Sequence, residues 1–181
     1  MTEKLTPEAL AEKGKAIYLE GDYLEAAPYF EEAAQGFTEI GDLLSAAEMK
    51  NNLSVALVQA EDGSGALTAV KGTDAVFAAA GDIRRQAMAL GNLGAAYEVL
   101  EQYDEAITAF EQANDLLKEV GDDELRKHVL QSLSRIKLMT GRKLEAFANM
   151  ETALGTEAET NQTKHFLHRI MEFTFNKVFK I

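Results

Sequence analysis

Residues 81–122 read GDIRRQAMALGNLGAAYEVLEQYDEAITAFEQANDLLKEVGD, one full period of the chain. The stretch opens on Gly81-Asp82 and closes on Gly121-Asp122, and Gly41-Asp42 lies the same 40 residues upstream. Half a period away stands a second series: Gly21-Asp22, Glu61-Asp62, Glu101-Gln102 and Gly141-Arg142. Glycine takes the left-handed conformation that ends a helix, and an aspartate beside it caps the next one. Each pair therefore closes one helix and opens another. Turn signals every 20 residues, with apolar helical stretches between, predict stacked helical hairpins. A period this regular marks an α-solenoid, whose hairpins bury a continuous core only by stacking on their neighbours.

The same punctuation sets the expected elements. A helix starts after Thr6, with Pro7 in its first turn, and runs to about Glu20. Further helices are expected near 24–40, 43–60, 65–80, 83–100, 103–120, 123–140 and 142–154. Pro28 falls early in its helix, where a missing amide matters least. Glu61-Asp62-Gly63-Ser64-Gly65 reads as a loose turn, with a mobile or distorted second hairpin expected from its two glycines. Gly155 to Gln162 reads as a linker and 163–180 as a last helix. The domain reading is a repeat array over 1–160, with repeats at about 7–40, 43–80, 83–120 and 123–154, followed by a C-terminal helix over 161–181.

Within the third period, Leu93-Gly94-x-x-Tyr97, then Ala106-x-x-x-Phe110 and Ala113, resembles the tetratricopeptide repeat. The first period matches at Gly14, Ala26, Phe30 and Ala33, with Ile17 in the tyrosine place. The second keeps Leu53, Leu57 and Ala66, and the fourth keeps Leu133, Ala146 and Ala153. The usual closing proline is missing, and each unit is six residues longer than the common 34-residue repeat, a long-helix variant. HEAT repeats share the length but carry a proline kink that this sequence lacks. The resemblance covers roughly residues 7–154 and implies an all-α, right-handed superhelix of four hairpins. It also implies a protein–protein interaction scaffold or adaptor that holds a peptide or protein segment in its concave groove.

Bulk properties narrow the function. The 181 residues carry a formal charge of −12, unevenly spread. Residues 1–159 sum to −15 and residues 160–181 to +3, from Lys164, Arg169, Lys177 and Lys180 against Glu172. The acidic body would repel phosphates, so no nucleic-acid partner is expected. Cysteine is absent, which removes disulfides, thiolate metal sites and cysteine nucleophiles. The polar start Met1-Thr2-Glu3-Lys4-Leu5 lacks a signal-peptide apolar stretch, and no apolar run has the ~20 residues needed to span a bilayer. A cytoplasmic location is the expectation. No nucleophile motif or phosphate loop occurs, so neither catalysis nor a cofactor is expected.

By the resemblance, groove positions fall on the first helix of each hairpin. They are Glu8, Ala11, Glu12, Lys15 and Tyr18 in the first repeat, and Glu48, Asn51, Asn52, Val55 and Gln59 in the second. The third supplies Met88, Gly91, Asn92, Ala95 and Glu98, and the fourth His128, Gln131, Ser132, Arg135 and Met139. Asn52 and Asn92 hold equivalent places. In related arrays such an asparagine holds a peptide backbone, since an amide offers both donor and acceptor. The alternative is that both satisfy neighbouring backbone or face water. The groove is expected to run from acidic (Glu8, Glu12, Glu48) to basic (His128, Arg135), and a basic peptide segment would suit its start.

The last segment packs nine large apolar residues into 16 positions: Phe166, Leu167, Ile170, Met171, Phe173, Phe175, Val178, Phe179 and Ile181. At helical spacing they exceed one contact face. Three readings stay open. The segment caps the array and joins two copies into a homodimer, through residues such as Phe166, Ile170, Phe173, Phe175, Val178 and Phe179. It caps the array alone. Or it lies on an anionic membrane surface as part of a regulatory or assembly module. His165, His168 and Glu172 share a helical face, but a wet polar face is the reading adopted, with no metal.

Overall fold

The computed structural model describes residues 5–155. Among them the elements are α1 (Pro7–Glu20), α2 (Tyr23–Glu39), α3 (Leu43–Gln59), α4 (Gly63–Val70), α5 (Thr73–Ala79), α6 (Ile83–Val99), α7 (Tyr103–Val120), α8 (Asp123–Met139) and α9 (Lys143–Gly155). They form two compact units, one ending at Asp122 and one beginning at Asp123. In the first, α1 packs on α2, α2 on α3, α3 on α4 to α6, and α6 on α4, α5 and α7. In the second, α8 packs on α9. The described residues are all-α, a solenoid of helical hairpins. The linker and last helix expected after Gly155 lie outside the described residues.

The turns repeat one geometry. The Asp42 amide donates to the Phe37 carbonyl at 2.9 Å, the Asp82 amide to Phe77 at 2.9 Å, and the Asp122 amide to Leu117 at 3.0 Å. Gly41, Gly81 and Gly121 take φ values of 82°, 71° and 71°, the left-handed step that this closure requires. Glu61 and Glu101 adopt the same conformation, at φ 60° and 58°. A side chain there costs about 1–2 kcal/mol, so the packed hairpins on either side impose the turn.

The aspartates then open the next helices. Asp42 Oδ1 accepts from the Ser45 amide at 3.0 Å and Asp82 Oδ1 from the Arg85 amide at 2.8 Å. The Ser45 hydroxyl and amide hold Asp42 below the ordinary carboxylate value, and the Arg85 amide and guanidinium do the same for Asp82. Because both folded pKa values are depressed, their stabilisation is complete above the ordinary value of 3.8 and is lost as pH falls through the lowered ones. Replacing both with Asn should flatten the acid limb of a urea-midpoint profile while preserving much of the capping at neutral pH. An unchanged acid limb would show that other carboxylates govern it.

The second hairpin departs from expectation. The helix expected over 65–80 is two helices, broken at Lys71-Gly72. Gly72 sits at φ 83°, and buried Thr73 donates its hydroxyl to the Val70 carbonyl at 2.8 Å. The equivalent places hold Ala33 and Ala113, both 0 % exposed. Thr73 stands where the other repeats have alanine, and its hydroxyl is satisfied across the break. By contrast, the turn at 60–62 is regular. Asp62 caps α4 directly, accepting from the Gly65 amide at 2.9 Å. A Cβ on Gly63 would stand 2.8 Å from Leu100 Cγ, so this glycine serves the close approach of α4 to the end of α6.

The core repeats with the sequence. Ala26, Ala66, Ala106 and Ala146 are at most 1 % exposed. The partner helices place small residues at equivalent positions: Gly14, Ser54, Gly94 and Ser134. Phe30 and Phe110 use the space left by Gly14 and Gly94, where a Cβ would lie 3.1 Å and 2.9 Å from the rings. Ser134 turns its hydroxyl to the Ala146 carbonyl at 2.5 Å, whereas the buried Ser54 hydroxyl has no hydrogen-bond partner among the described residues. Ala106 and Phe110 are buried as the repeat pattern requires, but Leu93 and Tyr97 are only half-buried. Lys137 occupies the place of Ile17, Leu57 and Tyr97, and is 5 % exposed. Its stem lies in the packed interior while its ammonium reaches Glu145 Oε2 at 3.2 Å.

Candidate peptide groove

The first helices of the first two hairpins, α1 and α3, enclose a groove of about 370 Å³. α1 lines it with Ala11, Glu12, Lys15, Tyr18 and Leu19, and α3 with Glu48, Met49, Asn52 and Val55. Phe30 of α2 also lines it. The spacing 11, 12, 15, 18, 19 on α1 and 48, 49, 52, 55 on α3 is one stripe of each helix, which is how regular secondary structure brings these side chains together. Of the groove positions expected from sequence, Ala11, Glu12, Lys15, Tyr18, Glu48, Asn52 and Val55 meet here. Phe30, Met49 and Leu19 were missed. Leu19, 75 % exposed, left a signal: a large apolar residue beside a turn with nothing in its own hairpin to cover it.

The asparagines behave differently from one another. Asn92 of α6 donates its amide to Asn51 Oδ1 at 3.0 Å, and Asn51 donates in turn to the Ala47 carbonyl at 2.9 Å. Asn51 is 8 % exposed, so it is a buried link between α3 and α6 rather than an open groove residue. Asn52 holds the place equivalent to Asn92, but the residue 41 positions before it is Ala11, which has no side-chain acceptor. Among the described residues the Asn52 amide makes no side-chain hydrogen bond, and it faces the groove.

Charge in the groove is mixed. Arg85 of α6 reaches Glu48 Oε2 at 3.3 Å, is held by Asp82 at 2.6 Å, and lies 5.1 Å from the Phe77 ring centre. With Lys15 also lining it, the groove keeps a small acidic excess, Glu12 and Glu48 against one lysine. Tyr18 stands 5.2 Å from Tyr23, and burial with that neighbour raises its pKa above the ordinary value of 10.0. At neutral pH it is a protonated phenol, able to donate.

The remaining expected positions are spread more widely. Met88 is exposed, and Gly91, Ala95 and Glu98 are half-buried on α6. Glu8 and Gln59 are exposed. In the second unit His128, Gln131, Arg135 and Met139 are exposed on α8, and Ser132 is half-buried. His165, His168, Glu172 and the apolar residues Phe166, Ile170, Phe173, Phe175, Val178 and Phe179 lie outside the described residues. Among the described residues no cluster of three His, Asp or Glu could hold a metal ion, and no helix is long and apolar enough to cross a membrane.

Comparison with known proteins places this geometry. Residues 85–156 match the family model described as Tetratricopeptide repeat. No curated protein sequence matches the chain. Among solved structures, MamA 41-end from Desulfovibrio magneticus RS-1 is 24 % identical, with 86 % of this chain and 77 % of that one covered at a TM-score of 0.64. BtubC (BKLC) from P. vanneervenii is 20 % identical, covering 86 % and 66 % at 0.74. A putative kinesin light chain from Podosopora anserina, with nearly identical TPR-like repeats, is 18 % identical, covering 88 % and 79 % at 0.71. At these identities the likeness is one of fold.

Proposed function

We propose that the chain, whose residues 85–156 match the tetratricopeptide-repeat model, is a protein–protein interaction scaffold whose α1–α3 groove holds an extended segment of a partner protein. The observation that carries this reading is Asn52. Asn52 is half-buried and lines a groove with Phe30, Met49 and Val55, and among the described residues its amide makes no side-chain hydrogen bond. A peptide group satisfies that amide with both a donor and an acceptor, while an apolar side chain of the same segment covers the lining. Tyr18 and Lys15 offer further donors along the opposite wall. Binding of this kind needs no chemistry from the scaffold, and we read the protein as a binding module rather than an enzyme.

The test is a displayed library of random linear peptides selected on the intact protein. Binders should carry a large apolar residue, and Asn52→Ala should weaken them roughly 2- to 10-fold, the value of one hydrogen bond. Its melting curve should stay unchanged. Asn92→Ala should instead alter stability, because Asn92 is already bonded within the protein. Binders indifferent to Asn52, or selected on a different face, would remove the groove from the proposal.

A further inference from the structure

We propose that Ala11 keeps the seam between α1 and α3 open, and that a ligand fills it with the amide carbonyl that Asn51 provides between α3 and α6. This rests on the groove reading and names what the groove selects. Neighbouring repeats of a solenoid meet through equivalent positions, so the two seams are comparable place by place. Among the described residues, side-chain links cross the α3–α6 seam at two levels. Asn92 donates to Asn51 Oδ1 at 3.0 Å, and Arg85 reaches Glu48 Oε2 at 3.3 Å. Asn51 is itself held by the Ala47 carbonyl, to which its amide donates at 2.9 Å. One period upstream, the places of Asn92, Asn51, Arg85 and Glu48 hold Asn52, Ala11, Ser45 and Glu8. Asn52 keeps the donor, but Ala11 lacks the acceptor, since its side chain ends at Cβ. Ser45 is too short to stand in for Arg85, and its hydroxyl donates to Asp42 Oδ2 at 2.6 Å. The difference shows in the packing. Asn51 is 8 % exposed, whereas Ala11 and Asn52 line an open groove of about 370 Å³.

The chemistry that fits between Ala11 and Asn52 is an amide carbonyl, an acceptor for the Asn52 amide and the size of the carboxamide that Ala11 lacks. A partner's main chain carries one at every residue, and an Asn or Gln side chain carries another. A partly buried donor without an acceptor is costly. Such a ligand therefore gains more here than at the α3–α6 seam, where Asn51 already serves Asn92. Ala11 is thus a specificity-determining residue. Ala11→Asn should give the array its own acceptor, held by the Pro7 carbonyl as Asn51 is held by that of Ala47.

The experiment follows the side-chain amide protons of Asn52 and Asn92 by isotope-edited NMR, with the linear peptides selected on the intact protein as probe. In the wild-type protein the Asn92 protons should exchange slowly with solvent and those of Asn52 fast, until a peptide protects them. Ala11→Asn should protect the Asn52 protons without peptide and raise the urea midpoint in a way that Asn52→Ala abolishes. It should also weaken the peptides by roughly 10-fold or more. Ala11→Leu fills similar space without an acceptor and should leave the Asn52 protons fast. Replacing every Asn and Gln of a peptide by Ala separates the sources: retained binding assigns the carbonyl to its main chain, lost binding to its side chain. The proposal is overturned if Asn52 stays fast in Ala11→Asn, if Ala11→Leu protects it equally, or if peptides that need Asn52 bind Ala11→Asn as tightly as wild type. Should Ala11→Asn disturb α1, the wild-type protein decides alone: peptides that need Asn52 yet leave its protons unprotected overturn the proposal. Peptides indifferent to Asn52 would instead remove the groove reading itself, so the two failures stay distinct.

Discussion

Phe110→Ala should destabilise the first compact unit by about 3–5 kcal/mol, the usual cost of removing a buried aromatic ring. Phe110 is 4 % exposed and fills the space over Gly94, whose missing side chain cannot move in to replace it. Ala106 and Ala113, both 0 % exposed, lie one turn to either side and are too short to reach the cavity. The site therefore cannot collapse cheaply, which favours the upper part of the range. Urea denaturation followed by circular dichroism would measure the loss. A change below ~1 kcal/mol would mean that the α6–α7 contact relaxes, and that Gly94 does not define its spacing.

Ala106→Leu should be destabilising by the opposite route, roughly 1–3 kcal/mol from overpacking. Ala106 is 0 % exposed on α7, which packs on α6. Three added heavy atoms must push the helices apart or force strained rotamers. Because α6 also touches α3, α4 and α5, separation would be felt in the second hairpin too. Hydrogen exchange should accordingly show lost protection in α6 and α7 first, then in α5. An Ala106→Leu protein with unaltered urea midpoint and exchange would show that the position is not a close-packed contact.

Much of this architecture was legible because it is local. Glycine at a left-handed step and aspartate at a helix start act within a few residues, so Gly41-Asp42, Gly81-Asp82 and Gly121-Asp122 announce the hairpin boundaries. The alternation of small and large residues, Gly94 with Phe110 and Gly14 with Phe30, is likewise written in the chain. The break at Lys71-Gly72 was not read from it. Apolar spacing continues through Ala69, Val70, Thr73 and Phe77, and it masks the signal of Gly72, whose left-handed step separates α4 from α5. Gly63 misled in the other direction, since its small size answers to Leu100, 37 residues away.

The candidate groove divides along the same line. The stripe containing Ala11, Glu12, Lys15, Tyr18, Glu48, Asn52 and Val55 follows from helical spacing once the repeat register is known. Which asparagine stays available does not. Asn51 and Asn52 differ by one position, about 100° around the helix axis, and their fates separate because Asn92 approaches from α6 to bond one and not the other. Arg85 likewise meets Glu48 only because α6 lies beside α3 at one particular offset. By itself the sequence determined the all-α repeat, its 40-residue period, its turns and its acidic body, all consequences of interactions between residues close in the chain. The tertiary structure alone decided the Asn51–Asn92 link and left the Asn52 amide facing the groove. Those depend on the rotation and offset of packed helices, which the combined volumes of many distant side chains set.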